Sequence, residues 1–250
     1  MRRLCFLTLL AIAGCERAAE GPSPTLPLED CHLRGSDRPA RCGVLSRPED
    51  PARPEAGELP IRVVVVPASD APRRNPIYLL AGGPGQAASE AFAPLLGRFE
   101  ELGRDRDIVL VDQRGTGSSA PLDCDAPRDR PLAERLSERI DLELLRSCLA
   151  RYEHDPRNFI TAIAMEDLDA VRESLGHAKI DVIGGSYGTR AALVYARAHP
   201  DRVGHIVIDG VAPVDMALPS SFARDAESAL TAAFRDCAAR PDCAKSFPDA

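Results

Sequence analysis

Lysine is nearly absent from this chain. Its 250 residues carry 31 basic side chains, of which only Lys179 and Lys245 are lysines, and no long basic run occurs. Nucleic-acid binding concentrates positive charge on one face or arm. With 38 acidic residues and a net charge of −7, no nucleic-acid partner is expected. Long apolar runs are missing too: the stretch Leu4–Ala13 is too short to span a bilayer. No CxxC or HxxxH spacing exists, so a metal site is not expected; no cofactor is expected either. Internal repeats and low-complexity tracts are absent. At 44% hydrophobic and 28% charged, the composition excludes disordered, collagen-like and disulfide-knot classes. The length suits one domain, or one with a small addition.

What is present begins with an address. Two arginines precede Leu4–Ala13, and Ile12-Ala13-Gly14-Cys15 follows. The charged start, apolar middle and small residues fit a bacterial secretion signal over residues 1–14. The ending resembles a lipobox, which predicts a lipid-bearing Cys15 that anchors the chain to a membrane; the alternative is a plain signal with an incidental cysteine. More than one acyl chain gives stable anchoring. Loss of the leader takes the basic count from 31 to about 29 against 38 acids, a net charge of about −9. Residues 15–30 are polar and proline-rich, a tether. Export implies an oxidising compartment, so Cys31, Cys42, Cys124, Cys148, Cys237 and Cys243 are read as disulfides. Six cysteines allow fifteen connectivities. The expectation adopted is the nearest pairing: Cys31–Cys42, Cys124–Cys148 and Cys237–Cys243.

From Leu59 onward short apolar runs alternate with helical periodicity. Strands are predicted at 61–66, 76–80, 107–111, 180–183 and 203–208. Helices are predicted over 86–102, within 120–160 (clearest at 142–152), and over 161–175, 187–199 and 220–239. This alternation predicts a mostly parallel sheet covered on both faces, with the site at the carboxyl ends of strands. Residues 31–218 are assigned to that core and 219–250 to the start of a lid.

Three glycine-rich turns stand at such strand ends. Gly184-Gly185-Ser186-Tyr187-Gly188 matches GxSxG between a strand and a helix, the setting that exposes a nucleophilic serine. The N–H of Tyr187 then points to where an oxyanion forms. Gly82-Gly83-Pro84-Gly85 suits a second oxyanion donor, with Gly83 chosen. Asp112-Gln113-Arg114-Gly115-Thr116-Gly117-Ser118-Ser119 lacks the third glycine of a dinucleotide loop and comes too late in the chain order. It is read as a structural corner in which Arg114 fixes neighbouring loops by ion pairing.

Together these motifs resemble the α/β-hydrolase serine peptidases of the proline iminopeptidase and tripeptidyl aminopeptidase group. Glu166–Arg172 and Ile208–Val211 are similar as well, and Cys237, Cys243 and Phe247-Pro248-Asp249 resemble the opening of the lid in secreted tripeptidyl aminopeptidase-like members. The resemblance covers about residues 31–250. It implies an α/β-hydrolase fold that cleaves residues or short peptides from free N-termini. Ala81 stands where the iminopeptidase branch has histidine, which shifts the reading toward the tripeptidyl branch. Two other readings stay open: an esterase or other small-molecule hydrolase acting on an ester or amide, and a non-catalytic lipoprotein binding module.

A base is missing. A triad on this fold runs Ser, Asp or Glu, then His. Only His199 and His205 follow Ser186. His199 lies about 20 Å along the helix that begins at Ser186, and His205 opens the next strand. His32, His154 and His177 are expected on the surface. Asp209 is an acid candidate more often structural. The sequence therefore predicts the N-terminal part of a longer hydrolase, without the last strands and most of the lid, and close to inactive alone.

Overall fold

The computed structural model describes residues 25–124, 141–217 and 220–248. The leader, Cys15 and most of the tether lie outside the described residues. A seven-stranded sheet forms the centre. Its strands are β1 (Glu29–Cys31), β2 (Ala40–Pro48), β3 (Glu58–Val66), β4 (Ile77–Leu80), β5 (Ile108–Val111), β6 (Ile180–Gly185) and β7 (Val203–Asp209), in the order β1-β2-β3-β5-β4-β6-β7. The ladders β5-β4, β4-β6 and β6-β7 are parallel, and those joining β1, β2, β3 and β5 are antiparallel. Only β1 and β3 therefore run against the rest, and the sheet is mostly parallel.

The β-branched runs form strands buried on both sides, and their period of two sends successive residues to opposite faces. Val63, Val65, Tyr78, Leu80, Val109 and Val111 face one core, while Val64, Val66, Ile77, Leu79, Ile108 and Leu110 face the other. On the first face lie α3 (Thr161–Ser174) and α4 (Tyr187–Ala198), through Met165, Leu168, Val171, Ala191 and Tyr195. On the second lies α1 (Ala88–Phe92), continued by a 3₁₀ segment, Ala93–Phe99, that seats Ala93 and Leu96. The continuous helix predicted over 86–102 is thus broken. Pro94 cannot donate a backbone hydrogen bond, and the chain tightens to the shorter repeat there.

Two strands went unpredicted. In β2, Gly43 interrupts the apolar pattern and the strand is only partly buried. That glycine is needed because a Cβ there meets the carbonyl of Pro27 at 2.6 Å. The nearest-neighbour cysteine pairs are bonded in the structure, with Cys31–Cys42 joining β1 to β2 and Cys124–Cys148 tying the loop after β5 to α2 (Leu142–Leu149). Cys237–Cys243 links α5 (Phe222–Ala239) to α6 (Pro241–Ser246), both of them without buried residues.

Two histidines expected on the surface, His154 and His177, are only half-exposed. His177 is half-buried beside Tyr78, whose hydroxyl lies 2.9 Å from its Nδ1. Burial lowers its pKa and raises that of Tyr78 well above the usual phenol value.

Candidate active site

The site is built where β4, β5 and β6 end. β6 stops at Gly185, α4 starts at Tyr187, and Ser186 makes the whole turn alone at φ 53°, ψ −121°. A side chain in that region costs on the order of 1–3 kcal/mol and persists only where its surroundings enforce it. They do so here by close approach. A Cβ on Gly184 would run into the carbonyl of Gly188, and one on Gly188 would run into the carbonyl of Leu80 on β4. Gly185, by contrast, faces open space. The spacing of the motif is thus a packing requirement at 184 and 188.

The turn is held from three sides. Ser186 N–H donates to the carbonyl of Asp209 at 2.9 Å, at the tip of β7. Thr189, fully buried, donates its hydroxyl to the carbonyl of Ser186 at 2.6 Å and accepts from Ala212 N–H at 2.8 Å. Arg190 donates to the carbonyls of Pro213 and Met216. Thr189 and Arg190 were not singled out from the sequence, although both stand within the run Gly-Ser-Tyr-Gly-Thr-Arg. The Tyr187 hydroxyl is 2.7 Å from Thr161 Oγ1 on α3. The main-chain N–H of Tyr187, at the first position of α4, has no acceptor one turn back within the helix.

The Gly82–Gly85 loop leans on this turn. A Cβ at Gly82 would lie 3.2 Å from Cβ of Ser186, and Gly83 follows at φ 104°, a conformation suited to glycine. The structure therefore brings Ser186, Tyr187 and the Gly83 loop together at the exposed edge. Beside them a cavity of about 430 Å³ is lined by residues including Gly85, Gln86, Glu90, Thr116, Gly117 and Asp123.

The turn after β5 is a buried corner. Asp112 accepts from both N–H and Oγ of Ser89, each at 2.8 Å, and so fixes the start of α1 just after the glycine loop. Arg114 grips Asp167 of α3 through Nε at 2.7 Å and Nη2 at 2.9 Å, and donates to the carbonyls of Pro48, Glu49 and Asn158. Ser119 Oγ accepts from Arg62 N–H at 2.8 Å.

No histidine hydrogen-bonds to Ser186. His154 pairs with Glu49 at 2.8 Å, His177 with Tyr78, His199 with Glu166 at 3.2 Å, and His205 with Asp181 at 3.1 Å; His32 is exposed beside β1. Glu49 is held below the usual carboxylate range by the N–H of Asp155 and by His154. Asp209 contributes its carbonyl to the elbow. Among the described residues no cluster of His, Cys, Asp and Glu is placed to hold a metal, and no helix is long and apolar enough to cross a membrane.

Comparison with known proteins agrees with this geometry. The sequence profile of the alpha/beta hydrolase fold matches residues 75–236. The chain is 29% identical over 272 aligned residues to serine protease Hip1 of Mycobacterium tuberculosis, covering 95% of this chain and 50% of that protein. It is 27% identical to tripeptidyl aminopeptidase of Streptomyces lividans over 219 residues, covering 80% and 40%. It is 31% identical to proline iminopeptidase of Neisseria meningitidis over 140 residues, covering 54% and 32%. The chain thus spans half or less of the length of these curated relatives. The mostly parallel sheet, the serine turn and the profile match together establish that this chain belongs to the α/β-hydrolase family.

Proposed function

We propose that this chain carries the nucleophile half of a serine exopeptidase that releases residues or short peptides from free N-termini. The observation that carries the reading is Ser186 alone in the turn between β6 and α4, at positive φ, with glycine forced at 184 and 188. In this reading the Ser186 hydroxyl attacks the scissile carbonyl. The N–H groups of Tyr187 and Gly83 hold the oxyanion, a role that needs donors preset where charge develops. Since the five histidines are engaged elsewhere or remote, the base and its acid partner come from chain outside these residues, and these residues alone are close to inactive. The helices from residue 219 onward begin the lid. Cys15 carries lipid after export, which places the enzyme in the cell envelope.

The peptidase names of the relatives favour peptides over simple esters. Turnover of N-terminally free aminoacyl and tripeptidyl arylamides by the complete gene product, set against plain esters, tests this. Ester turnover without arylamide turnover overturns the exopeptidase reading. Absence of fluorophosphonate labelling at Ser186 overturns the nucleophile assignment and leaves the binding-module reading.

A further inference from the structure

The two ends of the sheet differ in charge and in what reaches them. At the strand starts, the loop before β4 lies along the loop before β5: Asp70 N–H donates to the carbonyl of Arg104, Arg73 N–H to that of Asp105, and Ile77 N–H to that of Asp107. These loops frame a groove of about 770 Å³ lined by Arg73, Arg74, Arg98 and Arg104, with Asp70, Glu101 and Asp105 as the acids. All four arginines are exposed, and none forms an ion pair among the described residues. The catalytic edge is the reverse. Among the described residues its cavity is lined by the exposed acids Glu90 and Asp123 and by no basic residue. Exposed Asp209 and Asp215 lie beyond the serine turn, where Arg190 is the basic residue, its guanidinium held on the carbonyls of Pro213 and Met216.

The chain enters the fold toward the arginine-bearing end. Thr25 and Leu26 donate their N–H groups to the carbonyl of Ser174, at 2.8 and 3.2 Å. Ser174 is the last residue of α3, which leads into the start of β6, whereas Ser186 follows the end of β6. The described chain therefore starts a full strand length, about 20 Å, from the nucleophile. Ten residue steps separate Cys15 from Thr25, a reach of at most about 35 Å.

We propose that the strand-start end, with Arg73, Arg74, Arg98 and Arg104, is the surface that rests on anionic phospholipid headgroups, and that Ser186 opens away from the bilayer. This rests on the reading of Cys15 as the lipid anchor. The tether's reach alone permits either end to face the membrane, and charge selects between them. Basic residues beside an anionic leaflet are attracted over roughly a Debye length. The acidic catalytic edge is repelled by the same field, in a protein whose net charge is negative overall. The consequence for function is access: N-termini reach the cleft from the aqueous side.

The test uses the natural protein, made with its leader, purified in detergent and returned to vesicles of phosphatidylethanolamine with one-third phosphatidylglycerol. One fluorophore is attached at Arg74→Cys and another, in a second preparation, at Glu90→Cys; headgroup-linked nitroxide lipids act as quenchers. Quenching at 74 several-fold above that at 90, reduced by raised salt, supports the assignment. Equal quenching, or stronger quenching at 90, on protein whose Cys15 is acylated by mass spectrometry overturns the orientation and leaves the anchor standing. An unacylated Cys15 overturns both, and the two failures are told apart by that mass. In a second arm, Arg73→Glu, Arg98→Glu and Arg104→Glu are combined with the label at 74. With melting unchanged, quenching at 74 should fall at least two-fold; undiminished quenching removes the arginines from the headgroup contact and overturns the proposal.

Discussion

The turns that end β5 and β6 are alike in composition and opposite in organisation. Each packs glycines around small polar residues at the end of a strand in the middle of the sheet. After β5, Asp112, Arg114 and Ser119 are all buried, and their side-chain polar groups meet partners within hydrogen-bonding distance. After β6, the backbone is equally constrained, yet the Ser186 side chain is exposed at the edge. Glycine enrichment alone therefore says nothing of chemistry. What separates the two corners is whether the polar side chain is consumed by the fold, as at Ser119, or left at the surface, as at Ser186.

The sharpest way to break that comparison is Ser186→Ala in the complete gene product. Turnover of an N-terminally free peptide should fall by at least about 10⁴, while stability stays within about 1 kcal/mol or rises slightly, because strained functional positions carry a stability cost. Parental turnover in that variant would mean the β6 turn is no more chemical than the β5 turn.

Arg114→Ala should behave in the opposite way. It strips Asp167 of its bidentate partner, leaving only Arg47 at 3.2 Å, and leaves the carbonyls of Pro48, Glu49 and Asn158 without that donor. Breaking a buried pair costs about 3–5 kcal/mol, to be read as a shift in denaturant midpoint. Arg114→Lys should recover only part of it, since an ammonium cannot reproduce the planar fork.

Within the elbow the glycines should separate. Gly184→Ala pushes a methyl into the backbone of Gly188 and should cost about 2–3 kcal/mol, whereas Gly185→Ala meets nothing within 4 Å and should stay within about 0.5 kcal/mol. Thermal melts of the two variants decide this, and equal losses would detach the motif's spacing from packing.

The smallest effect lies outside both turns. His177 is neutral in the fold, its pKa held below 6.5 by burial. The unfolded chain takes up a proton at a higher pH than the folded one, so this contribution is complete above about pH 6.5 and is lost as pH falls through the folded value. The slope is at most about 1.4 kcal/mol per pH unit. His177→Gln should flatten that part of the stability profile between pH 7 and 5.

Much of this was legible in the sequence because it rests on local constraint. Four of the five predicted strands are runs buried on both faces, while β7 is exposed along most of its length; GxSxG is readable because each outer glycine answers to one backbone clash. Distant partners were not legible. Arg114 could be read as an ion-pairing residue, but nothing in the sequence selects Asp167, 53 positions away, from 38 acids. The hold of Asp209 on Ser186 passes through a carbonyl, which every residue has. Strand β2 was hidden because its exposed face and Gly43 erase the apolar signal, and α1 was overextended because periodicity does not register what Pro94 forbids.

The amide of Ser186 hangs from a single acceptor, the carbonyl of Asp209 on β7. Among the described residues β7 is laddered on one side only, to β6. Edge elements open locally at far less free energy than the core. Hydrogen exchange at Ser186 should therefore follow the fraying of β7 and outpace that of Val182, in the interior of the same strand β6. The lifetime of the Ser186 turn is then coupled to how firmly β7 is held, and anything that pairs with β7 would slow that exchange without touching the serine.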